Sequence, residues 1–441
     1  MIDSAFAKRE NFPPSRPRFR PGIFSLWEAP LSGPASPPNA AASHVMGVYS
    51  RGDLAFERGA GVRLYSTKGE VYLDCVAGIA VNGLGHCHPK LVKALADQAQ
   101  KLWHVSNIYR IPEQEALADR LCEATFADQV FFTNSGTEAV ELALKIARKY
   151  QAARGAPERI DVITFEGAFH GRSYAAVNAG GNPAYLEGFG PRLPGYVYLP
   201  FGDMDALKAA VGSTTAAVML EPVQGEGGAR VFSDEDLRTI RKLCDEQGAL
   251  LIYDEIQCGM GRTGKLFAYE WTGVEPDVMT VAKALGGGFP VGACLASAKA
   301  GSCMTFGSHG STYGGNPLAM AVALAAFDEI ATPAMMEHVR DVAGYFGQQL
   351  AGLKDRYPDV IADIRGKGLL IGVQLIPNNR AFMALAREQK LLIAGGGDNC
   401  IRLLPALIMT LQEASEAMAK FEAACEATRA QAKPEKAVEQ A

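Results

Sequence analysis

The chain has 441 residues, is 48% hydrophobic and carries a formal charge of −5 at pH 7. Its length allows a large core and two packed domains, and without a lysine or arginine cluster the acidic balance argues against nucleic acid as a partner. No run of about 20 apolar residues and no secretory h-region occur, so we expect a cytoplasmic protein without a membrane attachment. Nine cysteines without a repeating spacing predict reduced thiols.

Residues 1–45 are rich in proline, serine, alanine and arginine and have no helical or strand periodicity. A segment of this composition cannot bury enough apolar surface to fold, so we predict that it is disordered. Its arginines would also suit an organellar targeting peptide. A solvated tail, or a true start at Met46, is the simpler interpretation.

From about residue 60, short apolar runs alternate with amphipathic segments, a pattern typical of strands and helices in a parallel α/β sheet. Predicted strands cover residues 129–133, 162–165, 217–220, 250–253 and 278–281, and an amphipathic helix covers residues 138–150. Beyond about residue 335 we predict a helix, a strand at 369–375, and a second helix-strand-helix unit that ends near Ala424.

This order of elements predicts an α/β protein with two domains. A large domain, residues 81–334, would contain a doubly wound, mostly parallel sheet. A smaller α+β domain would combine residues 46–80 with residues 335–425. Residues 426–441 are predicted to form a frayed tail.

The first chemical signal is F-F-T-N-S-G-T-E at residues 131–138, where a strand enters a helix through a tight polar turn. The first amides of a helix have no intrahelical partner and the helix dipole attracts negative charge, so this turn can hold a phosphate. Ser135 and Thr137 would add hydroxyls, and Gly136 would allow close approach. A structural alternative is a capping box, because Ser135 and Glu138 stand in the S-x-x-E relation.

Two further strands end in charged groups. Asp254 and Glu255 follow the strand at 250–253, at the edge where open α/β sheets bind ligands, although Asp254 could also cap a helix or pair with an arginine. Lys283 follows the strand at 278–281 and precedes three glycines. Partial burial there would lower its pKa so that the neutral amine can attack an aldehyde. The alternative is an exposed lysine that snorkels.

The three segments together point to one cofactor. Pyridoxal phosphate needs a lysine for its aldehyde, an anion cup for its phosphate, and a carboxylate that keeps its pyridine nitrogen protonated. The turn at 134–137, Asp254 and Lys283 supply one group of each kind at strand ends on one sheet edge. We therefore predict a pyridoxal-phosphate enzyme.

Two other motifs suggest different chemistry. G-M-G-R-T-G-K at residues 259–265 matches the phosphate loop of nucleotide hydrolases, but Leu266 stands where serine or threonine binds magnesium, and the acidic strand precedes the loop. His86 and His88 could bind a metal, but no second ligand cluster is close in sequence. A polar turn before a helix is the preferred interpretation, and no metal site is predicted.

From about residue 49 to about residue 421 the chain resembles the subgroup-III, fold-type-I aminotransferases. The motifs that carry this resemblance are N-S-G-T-E-A at 134–139, F-H-G-R at 169–172, E-P-V-Q-G-E-G-G at 221–228, D-E-I-Q at 254–257, K-A-L-G-G-G at 283–288 and H-G-S-T-Y-G-G-N-P at 309–317. Departures from the family pattern are the N-terminal extension, Tyr253 and Cys258, and none removes a catalytic group. The resemblance implies a homodimer with two active sites at the subunit interface.

The resemblance also implies the role of each site residue. Lys283 would form a Schiff base with the cofactor, and Asp254 would pair with the pyridinium. The other implied cofactor contacts are Ser135, Gly136 and Thr137 at the phosphate, the partner subunit's Thr312 beside them, Phe169 on one ring face, Ile256, and Gln257 near the ring hydroxyl. The implied substrate contacts are Tyr49, Arg172 and Ser311 for the acylated amino acid, Arg402 for the α-carboxylate of glutamate, and Glu226, which would mask Arg402.

By the same resemblance, the ω-amino group of N2-acetylornithine would pass to 2-oxoglutarate, giving N-acetylglutamate 5-semialdehyde and glutamate in a reversible step of arginine biosynthesis. The same residues would serve ornithine, succinylornithine, succinyldiaminopimelate or 4-aminobutyrate, so these donors stay open. A semialdehyde aminomutase is a further alternative. A non-enzymatic pyridoxal-binding module predicts the loss of the lysine or the carboxylate, and both are present.

Overall fold

The computed structural model describes residues 44–432, so the predicted disorder of residues 1–45 falls almost wholly outside the described part. The described residues divide into two units, with the boundary between Leu54 and Ala55. In the first unit, the described residues 44–54 form bends without a helix or strand. The second unit contains the elements that follow.

Strands and helices are numbered in chain order. The strands are β1 (Phe56–Ala60), β2 (Arg63–Ser66), β3 (Val71–Asp74), β4 (Gln129–Thr133), β5 (Asp161–Phe165), β6 (Tyr196–Leu199), β7 (Thr215–Leu220), β8 (Val223–Gln224), β9 (Arg230–Val231), β10 (Leu250–Asp254), β11 (Val278–Val281), β12 (Gly292–Ala296), β13 (Ile361–Lys367), β14 (Leu370–Leu375), β15 (Leu391–Leu392), β16 (Ala394–Gly395) and β17 (Cys400–Leu403). The helices are α1 (Ala77–Ala80), α2 (Pro89–Ala99), α3 (Pro112–Ala124), α4 (Gly136–Ala153), α5 (Tyr174–Gly180), α6 (Pro183–Leu186), α7 (Met204–Ala210), α8 (Asp234–Gln247), α9 (Ala298–Gly301), α10 (Pro317–Ile330), α11 (Pro333–Arg356), α12 (Asn379–Glu388) and α13 (Leu411–Ala432). Short 3-10 turns occur at Ala268–Trp271 and Lys283–Leu285.

A seven-stranded sheet with the order β4-β12-β11-β10-β7-β5-β6 forms the centre of the fold. Strand β12 is antiparallel to both of its neighbours, and the pairs from β11 to β6 are parallel. This arrangement confirms the predicted mostly parallel α/β sheet. Smaller sheets have the orders β1-β2-β3-β15 and β13-β14-β17-β16, and β8 pairs with β9.

Helices cover both faces of the large sheet because its strands alternate between two apolar faces. In β10, Ile252 packs in the core cluster formed with α4, whereas Leu251 and Tyr253 pack in the larger cluster that contains α8. Both sides of the strand are therefore buried, and β10 is apolar along its whole length until Asp254. This burial holds the strand end in a defined position.

The C-terminal elements extend further than predicted. Helix α13 runs to Ala432, so residues 426–432 are helical instead of frayed, and residues 433–441 lie outside the described part. Arg429 stabilises this last turn, since its Nε donates to Asp359 at 2.8 Å. That partner is 70 residues away in sequence, so the contact is absent from any local pattern.

The predicted division into a domain of residues 81–334 and one of residues 46–80 with 335–425 stays a prediction. In favour of it, β3 from the N-terminal segment pairs with β15 from the C-terminal segment. Among the described helices, none alone is long and apolar enough to cross a bilayer, although α10 and α11, bent by 67°, meet the length and composition criteria as a pair.

Replacing Phe346 by alanine is expected to lower the free energy of unfolding by about 3–5 kcal/mol, because the ring is fully buried and its removal leaves a cavity. Urea titrations followed by circular dichroism measure the change. Phe189→Ala, at a ring that is 66% exposed, is the matched control and should change the value by less than about 0.5 kcal/mol. Equal shifts in the two variants would contradict this assignment of the core.

Candidate active site

Five strands of the large sheet deliver their C-terminal ends to one edge. Strands β5, β7, β10 and β11 are mutually parallel, and two antiparallel steps through β12 give β4 the same direction. Asp254 ends β10, and the residues that follow the other four strands include Ser135, Phe169, Glu221 and Lys283. The predicted lysine, carboxylate and anion cup therefore share one edge, where open α/β sheets bind ligands.

Lys283 is held in an unusual backbone conformation directly after β11. Its φ is 49°, in the left-handed region that residues with a Cβ rarely adopt. Burial lowers the pKa of its ammonium to about 8, with Glu226 opposing and Arg402 reinforcing the shift. Near neutral pH the fraction of neutral amine is therefore larger than for an ordinary lysine, and the neutral amine is the form that attacks an aldehyde.

Asp254 is 2% exposed, and both carboxylate oxygens have hydrogen-bond partners. Oδ2 lies 2.7 Å from His170 Nδ1, while Oδ1 accepts from the Thr280 hydroxyl and the Ile256 amide, each at 3.1 Å. A buried carboxylate requires such partners, because desolvation without them strongly disfavours the charged form. The neighbours of Asp254 thus hold its carboxyl group in a defined position at the strand end.

His170 and Glu221 extend this buried network. Burial disfavours the charged form of His170, but the hydrogen bond and charge of Asp254 outweigh it and raise the His170 pKa. Burial raises the pKa of Glu221 as well, opposed by the charge of His170. Glu221 also accepts hydrogen bonds from the amides of Phe169 at 2.9 Å and Gly225 at 3.0 Å. It therefore joins the segments after β5 and β7.

The turn after β4 presents the N-terminus of α4, a helix of 18 residues. Gly136 lies against Ile256, since a Cβ at Gly136 would come within 2.7 Å of the Ile256 side chain. The Thr137 hydroxyl lies 2.7 Å from the Ser173 hydroxyl and accepts from the Ser173 amide at 3.1 Å. The anion cup thus adjoins both the strand that carries Asp254 and the segment after Phe169.

Only half of the alternative capping box is present. Ser135 Oγ accepts from the Glu138 amide at 3.4 Å, as an N-cap does. The Glu138 carboxylate does not return to Ser135 and accepts instead from the amide and side chain of Asn134, at 2.8 and 3.0 Å. Within residues 44–432, the amides of Gly136 and Thr137 have no hydrogen-bond acceptor.

Arg402 lies in β17 and is 1% exposed. Its Nη1 is 2.7 Å from Glu226 Oε1 and donates to Gln257 Oε1 at 3.0 Å, while Nε donates to the Gly395 carbonyl at 3.0 Å. Glu226 keeps 31% of its side chain exposed, so one member of the ion pair can reach solvent and the other cannot. The ion pair connects the sheet β13-β14-β17-β16 to the edge of the large sheet that carries Lys283.

Arg172 differs from Arg402 because it is exposed and has no carboxylate partner within the described residues. Its guanidinium carbon lies 3.5 Å from the centre of the Tyr185 ring and 5.6 Å from that of the Phe169 ring. Phe169 is partly buried and meets Tyr185 edge to face, with ring centres 6.3 Å apart. Arg172 thus stacks on Tyr185, and Phe169 adjoins the same ring.

The remaining predicted contacts are less closely joined to this edge. Ser311 Oγ accepts from the Gly314 amide at 2.9 Å and lies 3.5 Å from Asn134 Nδ2, beside the anion cup. Thr312 is exposed, and its side chain makes no hydrogen bond within residues 55–432. Tyr49 lies in the separate unit that ends at Leu54, so its substrate contact stays a prediction.

The loop at 259–265 and the turn that contains His86 and His88 both make contacts within the fold. In the loop at 259–265, Arg262 is buried and donates to the carbonyls of Leu369 and Pro405. His86 lies 2.7 Å from Asp74, and α2 begins at Pro89 directly after the G-H-C-H turn. Among residues 44–432, no group of three or more His, Cys, Asp or Glu side chains is arranged to hold a metal.

Sequence reasoning missed four residues at this site: His170, Glu221, Thr280 and Tyr185. His170 and Glu221 stand inside motifs that were recognised, but the pattern did not reveal their partners. Thr280 could have been predicted, because a buried polar residue on an apolar strand beside β10 needs a hydrogen-bond partner. Tyr185 lies in a short helix without any chemical motif.

The chain matches the family model "Aminotransferase class-III" over residues 48–425. It is 70% identical to acetylornithine aminotransferase 2 of Caulobacter vibrioides, over 88% of this chain and 96% of that protein. It is 58% identical to acetylornithine aminotransferase of Agrobacterium fabrum, over 87% and 96%. The chain belongs to the class-III aminotransferases. The predicted family is thereby confirmed.

Solved structures agree with this assignment. An N-acetylornithine aminotransferase from Stenotrophomonas maltophilia has a TM-score of 0.77 at 38% identity, covering 87% of this chain and 98% of that one. An ornithine aminotransferase from Toxoplasma gondii has a TM-score of 0.85 at 30% identity, covering 88% and 94%. The fold-type-I architecture predicted from the sequence is confirmed.

Pyridoxal phosphate is the cofactor of class-III aminotransferases. The groups at the sheet edge fit its chemistry: a lysine with a lowered pKa, a buried carboxylate with a hydrogen-bonded partner on each oxygen, and free amides at a helix N-terminus. The assignment of individual contacts stays a proposal.

The cofactor-free enzyme is expected to take up pyridoxal phosphate faster as pH rises through about 8, because only the neutral Lys283 amine attacks the aldehyde. Stopped-flow absorbance of the bound cofactor measures this rate. Lys283→Met should abolish the pH-dependent signal, whereas Lys93→Met, at an exposed lysine, should retain it. A rate that does not vary with pH across this range would contradict the lowered pKa.

Proposed function

We propose that this aminotransferase transfers the ω-amino group of N2-acetylornithine to 2-oxoglutarate, giving N-acetylglutamate 5-semialdehyde and glutamate, as a step of arginine biosynthesis. Support comes from the names of its relatives, several of which are acetylornithine aminotransferases at more than 50% identity. Further support comes from the ion pair between Glu226 and Arg402 beside Lys283.

The ion pair is the observation that carries the proposal. One pocket must accept an ω-amine in one half-reaction and the α-amine of glutamate in the other. A buried arginine suits the α-carboxylate of glutamate, and a partly exposed glutamate can neutralise that arginine while the ω-amine reacts. We propose that Glu226 swings aside when glutamate or 2-oxoglutarate binds.

When bound, pyridoxal phosphate supplies an aldehyde that takes up amino groups and a ring that withdraws electrons. We assign the amides of Gly136 and Thr137, with the Ser135 turn, to its phosphate, and Asp254 to its pyridine nitrogen. Phe169 and Ile256 would contact the ring, and Gln257 would lie near its hydroxyl. Asp254 is suited to its role because His170 and Thr280 hold the carboxylate in place.

Lys283 Nζ is the group we assign to proton transfer. As a free neutral amine, it would remove a proton from the substrate carbon that carries the nitrogen and would deliver that proton to C4′ of the bound cofactor. The lowered pKa favours this role, because an ammonium cannot accept a proton. Arg172 and Ser311 would meanwhile hold the acylated amino acid.

A homodimer is part of the proposal. The segment at 102–109 exposes Leu102, Trp103, Ile108 and Tyr109, and it lies beside residues 311–315, since Asn107 donates to the carbonyls of Ser311 and Gly314. Exposed apolar residues of this number indicate an interaction surface. A second copy on this surface would bring the partner subunit's Thr312 toward the anion cup.

We assign the enzyme to the cytoplasm. All nine cysteines are free thiols, which suits a reducing compartment.

The donor is tested by initial rates with N2-acetylornithine, ornithine and 4-aminobutyrate, each with 2-oxoglutarate as acceptor. We expect N2-acetylornithine to give the highest kcat/KM, and glutamate to form in equal amount to the donor consumed. Ornithine is the second candidate, because the ornithine aminotransferase structure from Toxoplasma gondii superimposes closely. A higher kcat/KM for ornithine would overturn the donor while leaving the reaction type intact.

Glu226→Ala is expected to change the ratio of the two half-reaction rates. With its carboxylate removed, Arg402 is permanently unmasked, so we expect the rate with N2-acetylornithine to fall about tenfold relative to the rate with glutamate. Single-turnover absorbance with each amine alone measures both rates. Glu337→Ala, at an exposed glutamate of α11, is the control. An unchanged ratio in Glu226→Ala would refute the switch.

A further inference from the structure

We propose that Tyr185 is a positioning residue for Arg172 and thereby sets the preference of the enzyme for amine donors that carry a carboxylate. The inference rests on the proposed function in one respect, namely that Arg172 binds the carboxylate of the donor. Tyr185 itself lies in α6, a segment in which the sequence shows no chemical motif.

The Arg172 guanidinium stacks on a ring and keeps its hydrogen-bond donors free. Its carbon lies 3.5 Å from the centre of the Tyr185 ring, a close cation–π distance. Within the described residues, no carboxylate or carbonyl accepts a hydrogen bond from it, so its N–H groups are free. A planar guanidinium with one face on a ring still presents its edge, which is the side that binds a carboxylate through two parallel hydrogen bonds.

The second observation is the contrast with Arg402. Arg402 is buried and already engaged by Glu226, Gln257 and the Gly395 carbonyl. Of these two arginines, Arg172 is therefore the one open to an incoming anion. An amino-acid donor that approaches with its ω-amine toward Lys283 meets an available guanidinium at Arg172 and a neutralised one at Arg402.

The third observation is that Tyr185 is held in place independently of Arg172. It lies in the short helix α6, whose N-cap Asn182 accepts from the Ala184 amide at 3.0 Å. The loop that follows is fastened by the Tyr174 hydroxyl, which donates to the Phe189 carbonyl at 2.8 Å. Phe169 supports the ring from its edge. Contacts other than the one with Arg172 therefore help to position the ring.

The stack affects binding through preorganisation. An exposed arginine has many rotamers, and fixing them on binding reduces affinity. Stacking on Tyr185 selects one orientation before the donor arrives. The Tyr185 hydroxyl makes no hydrogen bond within the described residues, so the ring alone carries this effect.

The test compares two donors that differ only in the carboxylate: N2-acetylornithine and N-acetylputrescine. The rate constant for each is measured in the first half-reaction of the holoenzyme, without acceptor, from the absorbance of the bound cofactor. The selectivity is the ratio of the two apparent second-order rate constants. We expect Tyr185→Leu to lower this ratio about fivefold, by loss of the rate with N2-acetylornithine.

Three further variants make the result specific. Tyr185→Phe keeps the ring and should keep the ratio within about twofold of the native value. Tyr185→Met, a second variant without a ring, should repeat the loss seen with leucine. Phe189→Leu removes an exposed ring from the same loop and should leave the ratio unchanged.

The outcomes separate this inference from the proposed function. An unchanged ratio in Tyr185→Leu and Tyr185→Met, or an equal loss in Tyr185→Phe, overturns the role of Tyr185. If the native enzyme does not react with N2-acetylornithine, the proposed donor fails. The ratio of ornithine to putrescine then tests Tyr185 in the same way.

Discussion

One buried carboxyl group, that of Asp254, connects the segments of this active site. Asp254 ends a strand that is apolar on both faces, and at 2% exposure it has almost no access to solvent. A carboxylate at such a position is tolerated only with hydrogen-bond donors around it. Thr280 supplies one from the neighbouring strand β11, and His170 supplies another from the segment after β5, two strands away. His170 also interacts electrostatically with Glu221. The segment from Glu221 to Glu226 therefore belongs to the same network.

The direction of the strands explains how so many charged groups reach one place. Parallel strands expose their carboxyl ends at the same edge, and there the side chains leave the apolar core. Lys283 meets this edge in a left-handed backbone conformation and with a lowered pKa. Both features raise the energy of the folded state locally, and the well-packed strand beneath it provides the stability that sustains them. Reactivity and strain thus occur at the same residue.

Two arginines of the site, Arg402 and Arg172, have opposite environments. Arg402 is buried and neutralised by Glu226, whereas Arg172 is exposed and rests on an aromatic ring. The first is suited to an anion that can displace a glutamate, and the second to an anion that arrives from solvent. A class-III aminotransferase must bind two amino donors in turn, and this pair of environments offers a physical basis for distinguishing them.

The sequence alone determined the alternation of strands and helices, the edge that carries Asp254 and Lys283, and the family. Each of these depends on local patterns: β10 and β11 were predicted nearly to their observed ends, because a buried strand in a parallel sheet is a continuous apolar run. Only the tertiary structure decided which side chains meet. Asp254 contacts His170 across 84 positions of the sequence, and Arg402 contacts Gln257 across 145 positions. Arg172 and Tyr185 are 13 positions apart and lie in different segments. Such contacts depend on how elements pack, and no local periodicity records that.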